Sequence, residues 1–84
     1  MYKIKITPSA QKDLNQLRGK AFDNIKGEVL LLASNPRPWG VVKLTNENGY
    51  RIRIGDYMVL YRIDDKAKEI FIYRVKHRKE SYRR

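Results

Sequence analysis

At 84 residues with no cysteine, the chain is expected to form one small domain spanning 1–84, free of disulfides and thiolate metal sites and suited to a reducing compartment. Nineteen Lys and Arg against nine Asp and Glu leave a formal charge of +10, which points to a polyanion or an acidic partner. No apolar run reaches the ~18 residues of a membrane span, and MYKIKITPS lacks the apolar block of a signal peptide, so a cytoplasmic protein is expected.

Residues 2 to 6, YKIKI, alternate at period two and predict a strand. Thr7-Pro8 supplies a helix start, with Thr7 as N-cap and Pro8 at the first helical position. Ala10, Leu14 and Leu17 share one helical face, and Gly19 is expected to close this helix. A second helix is predicted from about Ala21 to Ala33, with Phe22, Ile25, Val29 and Leu32 as its apolar stripe. Asn35-Pro36-Arg37-Pro38 ends it.

Period two then takes over. Val41 to Leu44 is a short strand, and Asn46 to Gly49 a turn in which Asn48-Gly49 suits positive φ. Tyr50 to Ile54 and Tyr57 to Ile63 are strands around a tight Gly55-Asp56 turn. Asp64 to Lys68 is a polar turn, and Glu69 to Val75 the last strand. The expected fold is α+β: two N-terminal helices packed on one face of a mostly antiparallel sheet, β-α-α-β-β-β with a short C-terminal tail or helix.

Alternation then assigns faces. Ile52 and Ile54 point toward the helices, which leaves Arg51 and Arg53 on the open face, about 7 Å apart along the strand. Two arginines alone fit a solvated face. The final eleven residues, RVKHRKESYRR, add six cations against one carboxylate and supply +5 of the +10, close enough to reach the same face.

Several chemistries lack their residues. His77 stands alone, so there is no two-histidine acid/base pair and no histidine metal cluster. Neither GxxxxGK[ST] nor GxGxxG occurs. No metal and no cofactor is expected. Cations and six tyrosines remain. Tyr2, Tyr57, Tyr61 and Tyr73 read as sheet residues. Tyr82 sits among Arg78, Lys79, Arg83 and Arg84, where it can meet a phosphate, stack on a base, or anchor the tail.

Guanidinium is planar, permanently charged and bidentate toward phosphate oxygens. In RNA the 2′-hydroxyl is a built-in nucleophile, and its attack on the neighbouring phosphorus concentrates charge where fixed cations stabilise it. Arginine cannot be the base. Proton transfer would fall to Tyr82, His77 or a lysine such as Lys76; histidine titrates close to neutrality, but a backbone-bonded histidine at a strand end is an equal reading.

The segments YKIKITPSAQKDLNQL, Lys43-Leu44, YRIRIGDYMVLYRI and VKHRKESYR together resemble the RelE/ParE superfamily of toxins over nearly the whole chain. RIRIGDY and HRKESYR are the most specific parts. The resemblance implies, for the RelE branch, a metal-independent endoribonuclease that cuts mRNA on the ribosome and so blocks translation. It implies phosphate binding by Arg51, Arg53 and Arg78 and proton handling or stacking by Tyr82, with His77 a further candidate. Lys43, Lys76, Lys79 and Arg83 would add RNA contacts. The implied partner is a cognate antitoxin, acidic or amphipathic and RelB-like. Many members carry arginine where this chain has Met58, and Thr45 also departs from the usual pattern. The alternatives are a ParE-like DNA gyrase inhibitor without nuclease activity and a non-catalytic RNA-binding module.

Overall fold

The computed structural model describes residues 1–44 and 49–81. Strand β1 (Lys3–Ile6) leads into helices α1 (Pro8–Asn15) and α2 (Gly19–Leu31). Strands β2 (Val42–Lys43), β3 (Gly49–Ile54), β4 (Tyr57–Asp64) and β5 (Glu69–His77) follow, then a single turn, α3 (Arg78–Ser81). The sheet order is β1-β5-β4-β3-β2, antiparallel except where β1 lies parallel to β5. The α+β expectation therefore stands. The short strand expected at Val41 to Leu44 is present as Val42–Lys43, paired with Arg51 and Tyr50, so the elements run β-α-α-β-β-β-β, one strand more than the β-α-α-β-β-β shorthand.

Thr7 caps α1 as expected: the Ala10 amide donates to its hydroxyl oxygen at 3.3 Å, and Pro8 opens the helix. Gly19 does not close α1. That helix ends at Asn15, where the Arg18 guanidinium donates to the Asn15 and Leu17 carbonyls. Gly19, with φ of +58°, instead opens α2; the left-handed turn expected of glycine is present, but on the other side of the junction. Most of the expected Asn46–Gly49 turn lies outside the described residues. Gly49 itself begins β3 rather than adopting a positive φ.

One core forms where the helices cover the sheet. Ala10, Ile25, Val29 and Leu32 meet Ile52, Ile54, Val59, Tyr61, Ile70, Ile72 and Val75, all buried. Of the expected stripes, Ala10, Ile25, Val29 and Leu32 are buried, Leu14 and Leu17 are half-buried against the core, and Phe22 is half-buried outside it. Each buried branched side chain removes apolar area worth about 1.5–3 kcal/mol. Tyr61 has no exposed surface; its hydroxyl donates to the Pro36 carbonyl at 2.8 Å and its ring stacks on Tyr50. Arg37 reaches back to the Tyr50 hydroxyl and forms a 2.9 Å ion pair with Asp65, which also accepts from the Tyr2 hydroxyl. The Arg37 hydrogen bond, then the Tyr2 one, holds the Asp65 carboxyl below its ordinary range. This belt ties the 35–40 loop to the β4–β5 turn and leaves Trp39 98% exposed. No helix among the described residues is long and apolar enough to cross a membrane.

Candidate nucleic-acid interface

Strand pairing defines the open face. Arg51 stands opposite Leu60, which stands opposite Arg74; Arg53 stands opposite Met58, which stands opposite Lys76. Two parallel rows result, each reading cation, apolar, cation across β3, β4 and β5. Directly opposed residues hold their Cβ atoms about 4.5–5.5 Å apart, so each row is one continuous surface. Met58 is 8% exposed yet stands apart from the helix-side core, which places it as the floor between Arg53 and Lys76.

A β-bulge makes this arrangement. The register shifts between Leu60, opposite Arg74, and Tyr61, opposite Ile72, so Tyr73 is an extra residue on β5. Strict alternation from Ile70 and Ile72 would turn Arg74 and Lys76 toward the helices and His77 toward the open face. The bulge reverses all three. Val75 becomes the next core residue, and Arg74 and Lys76 join Arg51 and Arg53. The signal was present in the spacing of the apolar residues Ile70, Ile72 and Val75, which breaks step by one.

The bulged segment is fastened from α1. One Asp13 carboxylate oxygen accepts from the Arg74 Nε and from the Val75 amide, both at 2.9 Å. β1 ends opposite Ile72, so Asp13 supplies the acceptor that a longer β1 would have offered. Sequence reasoning missed Asp13, because a lone aspartate on an amphipathic helix carries no local mark of a partner 62 residues away.

Gly49 has a packing reason. A Cβ there would lie 2.7 Å from the Tyr73 hydroxyl oxygen and 3.2 Å from Leu44 Cδ1. The Tyr73 side chain therefore reaches across β4 to β3 on the open face, with the Arg62 guanidinium 5.7 Å from its ring centroid. Between this ring and the two rows lies a depression of about 350 Å³ lined by Leu44, Arg51, Met58, Leu60, Tyr73, Arg74 and Lys76. A larger depression, about 430 Å³, sits at the β4–β5 turn, but Asp64 and Asp65 there oppose Arg62 and Lys66, so its charge is mixed.

The other candidate residues distribute as follows. Arg53 Nε donates to the Gly55 carbonyl at 3.0 Å. The Arg78 amide donates to the Asp56 carbonyl at 2.7 Å, and its guanidinium lies 3.7 Å from the Asp56 carboxylate, a loose ion pair. Arg53 and Arg78 thus flank the same Gly55-Asp56 turn. β5 runs two residues past its expected end and carries His77 on the helix side, edge-on to Tyr57 and beside Asp13, Gln16 and Leu17. The Lys79 amide donates to His77 Nδ1 at 3.2 Å. Lys43, opposite Tyr50, lies over the Tyr50 ring on the helix side as well. Lys79 is exposed on α3. Tyr82 and Arg83 lie outside the described residues.

This chain matches the family model for the ParE toxin of the type II toxin–antitoxin system over residues 4–82. It belongs to that family, and hence to the RelE/ParE superfamily of toxins. Its similarities place it in the RelE-like branch. It is 31% identical to Toxin RelG of Mycobacterium tuberculosis over 91 residues, covering 99% of this chain and 98% of that one. It is also similar to a solved RelBE2 toxin–antitoxin complex from Mycobacterium tuberculosis, with 30% identity and a TM-score of 0.82 over 92% of this chain and 98% of that chain. An archaeal RelE–RelB complex from Pyrococcus horikoshii matches with 31% identity and a TM-score of 0.82, over 92% and 94%.

Proposed function

We infer that this toxin is a ribosome-dependent endoribonuclease that cleaves mRNA and so inhibits translation. The observation that carries the reading is the pair of cation–apolar–cation rows bordered by the Arg53 and Arg78 turn. In the reaction the RNA 2′-oxygen bonds to the adjacent phosphorus, the bond to the 5′-oxygen breaks, and the products carry a 2′,3′-cyclic phosphate and a 5′-hydroxyl. One proton leaves the 2′-hydroxyl and one reaches the 5′-oxygen. Arg51, Arg53 and Arg78 hold the phosphate and stabilise the charge on its nonbridging oxygens. Lys76 adds charge beside Met58, where many relatives carry arginine, while Lys79 and Arg83 contact the RNA backbone. Tyr82 handles a proton or stacks on a base, a role that rests on the resemblance. His77 and Lys43, on the helix side, are left out of this reading. The RelE relatives solved with RelB, together with the +10 charge, support a cognate acidic or amphipathic antitoxin; a target on translating ribosomes implies a cytoplasmic site of action.

Transcript cleavage in a translation extract tests the reading. Cuts that require ribosomes and vanish in Arg51→Ala and Arg78→Ala are expected. A 2′-deoxy residue at the cut should bind but not react; cleavage there would mean that water is the nucleophile. If about five phosphates are neutralised, log affinity should fall against log salt with a slope near −3.5. Met58 favours one second reading, a gyrase inhibitor that cuts nothing. Blocked DNA supercoiling with intact transcripts would establish that instead.

A further inference from the structure

The depression on the open face has a composition that phosphate binding alone does not require. Its floor is Leu44, Met58 and Leu60, Tyr73 forms one wall, and Arg51 and Lys76 stand on opposite sides. A site built only for phosphates would place cations and backbone amides at its centre. Here the centre is apolar and the charge is at the rim.

We propose that this depression is a base-seating subsite, taking one unstacked nucleobase of single-stranded RNA while the flanking phosphates lie on Arg51 and Lys76. The proposal rests on the RNA-directed reading above and sharpens it. Three observations select the occupant. First, the volume, about 350 Å³, falls at the small end of ligand pockets, which suits a nucleotide and not a helix about 10–12 Å across. Second, cations stand on both sides, as a chain with a phosphate before and after the seated group requires. Third, the wall is held in place: Gly49 admits the Tyr73 hydroxyl, and the Asp13 carboxylate fixes the backbone just past the bulge. An aromatic surface that is already ordered loses little freedom when a base lies against it. Leucine, methionine and tyrosine side chains offer area without a fixed donor–acceptor pattern, so the subsite should tolerate any base and favour large ones.

The test uses the whole chain and fluorescein-labelled hexauridine, compared with the same ribose-phosphate backbone lacking its bases. Anisotropy should show the abasic strand binding roughly tenfold more weakly, with the same salt slope. Tyr73→Ala should weaken hexauridine about fivefold or more and leave the abasic strand unchanged, which separates base contact from a general loss of charge. Equal affinity of wild type for the two strands, at an unchanged salt slope, overturns the subsite but leaves the nuclease reading intact; the occupant would then be an apolar side chain of a protein partner. Absence of binding to either strand, together with intact transcripts in the ribosome assay, removes both.

Discussion

The two faces of this sheet are made from the same three strands and differ in what they tolerate. On the helix side, Val59, Tyr61, Ile70 and Ile72 have no exposed surface, and every contact serves cohesion. On the open side, Met58 and Leu60 are framed by four cations, of which Arg74 is paired with the Asp13 carboxylate. Alternation lets one strand serve both ends, because neighbouring residues point to opposite faces except at the bulge, where Tyr73 and Arg74 both face the open side. Changes on the first face should therefore alter stability, and changes on the second should alter function at nearly constant stability.

The largest effect is expected from Ile72→Ala. It opens a cavity at the centre of the helix side and should cost about 2–5 kcal/mol in chemical denaturation. A cost below about 1 kcal/mol would mean that the helices do not seal that face. On the other face, Arg51→Ala should reduce transcript cleavage by about 100-fold. Its stability should change by no more than about 0.5 kcal/mol. Loss of activity accompanied by unfolding would break the distinction between the faces.

Asp13→Ala probes the join between the faces, since the carboxylate serves the edge of the sheet and the Arg74 guanidinium together. Urea titration should show a loss of about 1–3 kcal/mol. Cleavage should also fall, because the segment that sets Lys76 loses its anchor. Unchanged activity in a folded Asp13→Ala protein would show that the bulge holds its own shape.

Two smaller effects depend on pH. Burial pushes the Tyr61 hydroxyl up to about 12. The unfolded chain loses that proton from about pH 10, so stability is complete below about pH 10 and declines toward pH 12. Tyr61→Phe should flatten this alkaline decline. Asp65 behaves oppositely, since Arg37 and Tyr2 lower its pKa. Its contribution is present above the ordinary carboxylate range and is lost as pH falls through the folded value. Asp65→Asn should leave a shallower acid limb in a pH-dependent melting series; an identical limb would mean that the exposed ion pair contributes nothing measurable.

The contrast between the faces was largely legible in Arg51-Ile52-Arg53-Ile54, where period two states both roles in four letters. The opposite strand was harder. Tyr73 shifts every later residue of β5 to the other face, so reading His77 beside the arginines required a register that only pairing with β4 decides. The bulge is visible as a broken interval between Ile72 and Val75, but one extra residue in a strand that mixes aliphatic, aromatic and cationic side chains has no composition of its own. The Gly19 misplacement has a similar cause: a glycine between two helices reads equally well as an end or a beginning, and the Arg18 side chain, by closing α1 early, decides which.

Trp39 is the chain's one tryptophan, and the loop that carries it is held by the Tyr61–Pro36 and Arg37–Asp65 contacts while its indole faces water. Its emission in the native protein should already match that of free indole, so denaturation will scarcely change its colour, and melting curves need circular dichroism. For the same reason a blue shift on adding a tryptophan-free ligand would have a single source, Trp39. The protein carries an intrinsic optical probe that is silent to unfolding and responds only when something covers that loop.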